Sequence, residues 1–142
     1  MPDAVATEES MAVERKGIWG WMFFDWATQP FHTLILTFIF APYFANFVAE
    51  NSVTGQAQWG YAVAAAGLII AVMAPVLGAI SDATGPRKPW ILGFALLAAG
   101  GSFALWWAVP NTFADGSVFF VLLAFVVATF GFEFAAVFNN AM

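Results

Sequence analysis

Between Gly60 and Ile80 the chain runs for 21 residues without a charged side chain. The hydrocarbon core of a bilayer, about 30 Å thick, takes about 20 apolar residues in helical form. Three further stretches meet that requirement: Trp21 to Val48, Trp90 to Val109, and Ser117 to Phe138, the first and last with one carboxylate each, Asp25 and Glu133. Each is expected to be helical, because an open strand in lipid leaves backbone N–H and C=O groups without partners. Composition agrees, with 62% of the 142 residues hydrophobic and 9% charged, against about 25% charged in soluble domains. A soluble domain of this size has too little interior to hide such a surface. The expected fold class is an all-α membrane protein with four transmembrane helices, at about 21–48, 60–80, 90–109 and 117–138.

Orientation follows from the basic residues. Arg15 and Lys16 precede the first span, and Arg87 and Lys88 lie between the second and third. The other two connections, 50–58 and 110–116, carry no Lys or Arg and hold turn residues such as Asn51, Gly55, Asn111 and Gly116. All four cations therefore fall on one side. The positive-inside rule makes that side cytoplasmic, with the N-terminus inside the cell (inner) membrane. Trp19, Trp21, Trp26 and Trp90 are expected to mark the inner boundary, and Trp59, Trp106 and Trp107 the outer one.

Residues 1–17 contain Asp3, Glu8, Glu9 and Glu14 and lack the basic start and short apolar core of a secretory signal. They read as a flexible cytoplasmic leader, and 18–142 as the membrane domain. The chain stops at Asn139-Asn140-Ala141-Met142 without a basic anchor or polar tail, as expected of the front part of a longer protein.

Composition removes several functions. Four Lys and Arg residues in a chain of net charge -5 form no basic patch, so nucleic acid is not an expected partner. The absence of cysteine excludes disulfides, thiolate metal sites and a cysteine nucleophile. With one histidine and no nucleophile–base spacing, no enzyme, metal site or cofactor is expected.

The run Gly78-Ala79-Ile80-Ser81-Asp82-Ala83-Thr84-Gly85-Pro86-Arg87-Lys88 stands at the cytoplasmic end of the second span. Gly78 suits close helix contact. Asp82 can accept from helix N-termini, whose dipoles favour a carboxylate. Gly85 allows a tight reversal, and Arg87 and Lys88 hold the loop in the cytoplasm. The pattern G-x-x-x-D-x-x-G-x-R-K resembles the signature of the major facilitator superfamily between that family's second and third helices. Trp21-Met22-Phe23-Phe24-Asp25-Trp26-Ala27, Thr37-Phe38-Ile39-Phe40-Ala41-Pro42-Tyr43-Phe44, Ala74-Pro75-Val76-Leu77 and Val137-Phe138-Asn139-Asn140-Ala141 are similar to the vacuole-effluxer-like branch. That resemblance implies a twelve-helix fold of which this chain is the first four helices. It also implies helices one and four lining a central cavity, and transport of a small solute, with amino acids as the candidate. The sequence departs from the family in two places. Pro86 stands where a basic residue is common, and the fourth span lacks the arginine of proton-coupled drug exporters.

A charge at mid-bilayer costs about 2.5–3.5 kcal/mol on insertion scales, so each polar residue in a span needs a reason. Asp25, Gln29 and His32 stand at i, i+4 and i+7 on the first span, on one helical face. Thr28 and Thr33 flank them, and Pro30 interrupts the backbone between. Counted from Trp21 at about 1.5 Å per residue, Asp25 lies roughly 6 Å deep and His32 roughly 16 Å, while Glu133 lies about 7 Å from Phe138. Asp25 and Glu133 are thus expected at one depth on antiparallel helices, sharing a proton if they touch. Asp25, Gln29, His32 and Glu133 form the candidate substrate or proton pathway, and Gly78, Asp82, Gly85, Arg87 and Lys88 the candidate gating loop. Structural pairing with Arg87, Lys88 or helix ends is the plainer alternative.

The function these features favour is a secondary transporter, with the bilayer and a small solute as partners and protons as the candidate coupling ion. A self-contained four-helix dimeric exporter and a non-transporting membrane assembly protein are the alternatives. In the first the four-to-none charge bias would be unusual. In the second the buried polar groups would act as interhelical glue.

Overall fold

Four hydrophobic runs give four helical spans, and prolines decide where the helices depart from regular geometry. The structure, a computed structural model, describes the backbone of residues 2–84, 87–110 and 117–140. It describes side chains from residue 15 onward, apart from those of Ser81, Asp82 and Thr84. The first span is composite: α1 (Pro2–Pro30), a π-helical stretch Phe31–Phe38, α2 (Phe40–Tyr43) and a second π-helical stretch Phe44–Val48. Pro30 has no N–H to give the Trp26 carbonyl, and its ring crowds that turn. The backbone beyond it continues in wider turns bonded five residues apart, as in Ile39 N–H to Leu34 O at 2.9 Å and Ala49 N–H to Phe44 O at 3.0 Å.

The second span is α3 (Ser52–Thr84), with Pro75 inside it. The third is α4 (Lys88–Ala104), finished by a 3-10 turn Leu105–Trp107. Pro89 sits in its first turn, where the missing N–H would have had no partner. The fourth is α5 (Val118–Asn140). All four are long and apolar enough to cross a membrane, over Arg15–Val48, Ser52–Ile80, Lys88–Trp107 and Val118–Asn140. The helices outrun the uncharged stretches: α3 begins eight residues before Gly60, and α1 begins at Pro2. The leader expected to be flexible is thus helix continuous with the first span. Its Ala, Glu, Met, Arg and Lys residues are good helix formers, and Pro2 occupies the one position where proline fits.

The fourth span is the hub, packed against the other three. Its closest neighbour is α4. A Cβ added to Gly131 would lie 2.5 Å from the Ala98 backbone nitrogen, and one added to Gly101 would lie 2.6 Å from that of Ala128. Two glycines facing two buried alanines bring the backbones together, which is how helices associate where lipid is as apolar as leucine. Gly55 does the same for α3, its added Cβ falling 2.7 Å from the Ala45 Cα. Gly78 does not have the close-contact role expected of it. Among the described residues, nothing lies within 4 Å of the place its side chain would take.

Two apolar clusters form the core, and both pass through α5. One joins Phe31, Phe44, Val48, Trp59 and Leu105 to Val121, Phe125 and Ala128. The other joins Leu77 to Phe134 and Phe138, with Trp90 and Phe94 beside them. Trp59 corrects the boundary reading: it is buried, its ring 4.1 Å from Phe125 and 5.5 Å from Phe44, whereas Trp106 and Trp107 are exposed. At the same end the Tyr43 hydroxyl donates to the Ala108 carbonyl at 2.9 Å, tying the first span to the third.

Candidate functional site

The first and fourth spans meet at two polar points. Trp21 Nε1 donates to Asn140 Oδ1 at 3.1 Å. Deeper in the membrane, His32 Nε2 lies 3.1 Å from Glu133 Oε1. Phe31 stacks on Phe132 at 4.3 Å between ring centroids, and the His32 ring stands edge-on to Phe132 at 6.4 Å. These rings clamp the imidazole on its apolar side. Its other ring nitrogen, Nδ1, lies 3.3 Å from the Thr28 carbonyl one turn back. The hydroxyls near it bond to the helix itself, Thr28 Oγ1 to Asp25 O at 2.8 Å and Thr37 Oγ1 to His32 O at 3.1 Å. Thr28 is buried, while the His32 and Glu133 side chains keep 33% and 41% of their surface exposed.

Of the four pathway residues expected from sequence, the structure brings His32 and Glu133 together and leaves Asp25 and Gln29 exposed on the same helix. The expected Asp25–Glu133 pair is corrected: among the described residues, no hydrogen bond or ion pair joins them. The depth count assumed straight, antiparallel helices with Trp21 level with Phe138. The two observed contacts are eleven residues apart on the first span but seven apart on α5. At about 1.5 Å per residue that differs by about 6 Å, roughly one turn. That offset carries Glu133 past Asp25 to His32. Phe31, Phe132 and the Thr28 carbonyl complete the site. A sequence shows an aromatic or a threonine in a span but not which ring it stacks on.

The faces of α1 divide cleanly. Trp19, Met22, Phe23 and Trp26, at i, i+3, i+4 and i+7, make one exposed aromatic face suited to lipid. Asp25, Gln29 and His32 form a polar flank beside it, with Thr33 exposed one turn beyond Gln29. Phe24, Ala27, Thr28, Ala95, Ala99, Phe132 and Ala135 line a small, half-open apolar groove of about 200 Å³. The gating-loop residues are described only in part. Arg87 caps α4, Lys88 opens it and is exposed, while the Asp82 side chain and Gly85 lie outside the described residues.

Four membrane-length helices packed through small residues, with an acid–imidazole contact inside the bundle, define a multi-pass α-helical membrane protein. Over 124 residues the chain is 30% identical to the uncharacterized MFS-type transporter YxiO of Bacillus subtilis, an alignment covering 85% of this chain. It covers 28% of the relative, so the chain spans under a third of the length of the protein it matches. This similarity supports membership of the major facilitator superfamily. No family model and no solved structure matches the chain.

Proposed function

We propose that this chain is the first four helices of a secondary transporter of the major facilitator type, and that its first and fourth spans form one wall of the solute pathway. The observation that carries this reading is the polar flank of α1. Asp25 and Gln29 are exposed within a membrane-spanning helix, where contact with lipid costs kilocalories. Along the middle of the other three spans the exposed positions are apolar, as at Leu68, Val72, Leu92, Leu96, Phe119 and Phe120. A polar flank at bilayer depth calls for water or further helices against it, and transporters of this architecture place their sites between two helical halves. The four helices by themselves hold one side of such a site.

The solute is small, with amino acids the candidate by the vacuole-effluxer-like resemblance, and protons the candidate coupling ion. Both ends of the described chain face the cytoplasm across the cell membrane, and no step of the function is enzymatic. These 142 residues hold no cysteine, so in the whole transporter, with any cysteine outside them replaced, introduced thiols map the pathway. Gln29→Cys is expected to react with a membrane-impermeant thiol reagent, with protection by transported solute. Leu34→Cys, on an exposed apolar face, is expected to stay unlabelled. Equal labelling of the two, or none at Gln29→Cys, would overturn the pathway assignment.

A further inference from the structure

We infer that His32, Glu133 and the Thr28 carbonyl form a site for one shared proton, in which the carbonyl selects the form of the imidazole that can hold it. The argument is a count of donors and acceptors. The Thr28 carbonyl only accepts, so its 3.3 Å contact with Nδ1 needs the proton on Nδ1. The 3.1 Å contact between Nε2 and Glu133 Oε1 needs a second proton between those atoms. Two forms satisfy both contacts: imidazolium with carboxylate, or neutral imidazole accepting from a protonated carboxyl. They differ only in where the second proton rests, and each leaves the pair with no net charge.

Removing one proton breaks the arrangement. If Nδ1 keeps its hydrogen, the Nε2 lone pair faces the carboxylate. If Nε2 keeps its hydrogen, the Nδ1 lone pair faces the Thr28 carbonyl. Either way one of the two contacts turns repulsive and the pair is left with a net negative charge. Among the described residues the ion pair at this point is His32 with Glu133, and no Lys or Arg joins it. The titratable side chain packed against His32 is that of Glu133 from α5, and Asp25 lies about two turns back on the first span, exposed. The spans 60–80 and 90–109 contribute no charged residue.

The site also sits on the irregular part of the first span. His32 is the second residue of the π-helical stretch that follows Pro30, and its own carbonyl accepts from Thr37 Oγ1. Loss of the Nδ1 contact releases the ring from the turn behind it at the point where the backbone is already off α-helical register. Only the use of this release as a coupling step rests on the transporter reading. The proton site stands on the contacts.

These 142 residues hold one histidine, and in the full protein its 15N imidazole signals are identified as those lost in His32→Gln. In the full chain in lipid nanodiscs, a solid-state NMR titration is expected to show one single-proton step. In it the imidazole signals and a glutamate carboxyl signal move together at one midpoint, with Nδ1 protonated in the loaded form. The carboxyl signal is assigned by its loss in Glu133→Gln, in which the coupled step is expected to vanish. Separate midpoints for imidazole and carboxyl, or a loaded form with hydrogen on Nε2 and none on Nδ1, would overturn the inference. Transport enters neither measurement, so failure of this site leaves the transporter reading standing, and an absence of transport leaves the titration result intact.

Discussion

Glu133 lies in an otherwise uncharged stretch of α5, and a proline on another helix helps decide what it meets. Pro30 ends regular helix just before His32, and the imidazole then bridges the Thr28 carbonyl and the carboxylate. Glu133→Gln keeps the size of the side chain but removes its capacity to take a proton. In the whole transporter it is expected to abolish pH-driven accumulation while leaving solute exchange intact, measured by proton-driven uptake and counterflow in the same vesicles. Unchanged proton-driven uptake would make the residue structural. For the loop, Asp82→Asn is expected to lower the maximal rate of transport while solute binding stays near normal. A loss of affinity at unchanged maximal rate would count against gating.

These residues were legible in the sequence because a carboxylate or imidazole in an apolar run is conspicuous. Their partners were not. Counting residues from each boundary gives depth along a straight axis, and the first span is neither straight nor α-helical throughout. The pairing of Glu133 with His32 instead of Asp25 follows from about one turn of offset that no residue type announces.

At the scale of helices, the decisive residues are the smallest. Gly131 and Gly101 leave room for the backbones of α4 and α5 to touch, against Ala98 and Ala128. Gly131→Ala must push those backbones apart and is expected to destabilise the bundle by about 1–3 kcal/mol, the range for overpacking a close-packed interior. Gly78→Ala has open space and is expected to leave stability nearly unchanged. Thermal unfolding of the two variants in detergent, side by side, checks the contrast, and equal losses would show that the α4–α5 contact is not what holds the bundle. The four spans were readable from hydropathy alone. Which glycines lie at contacts was not, since Gly78 and Gly131 look alike in a sequence and differ only in what stands opposite.

At the scale of the whole molecule, the four-to-none distribution of basic residues predicts both described ends on the cytoplasmic side. Alkaline phosphatase fused after Asn140 is expected to be inactive and a cytoplasmic reporter active. An active phosphatase there would invert the topology. Such an inversion would also place Trp21 and Asn140, hydrogen-bonded across the first and fourth spans, at the outer face.

Both apolar clusters depend on α5 for their central rings, Phe125 in one and Phe134 with Phe138 in the other. The chain is made in the opposite order, so three helices enter the membrane before the helix that joins them exists. Until then α3 is held mainly at one end, where Gly55 meets Ala45 of the first span, and shows most of its remaining length to lipid. Assembly is therefore expected to occur late and at one moment. A force-sensing arrest peptide moved along the chain should register a strong pull as the Phe125 region enters the membrane, and a weaker one in a Gly131→Leu chain that cannot close on α4.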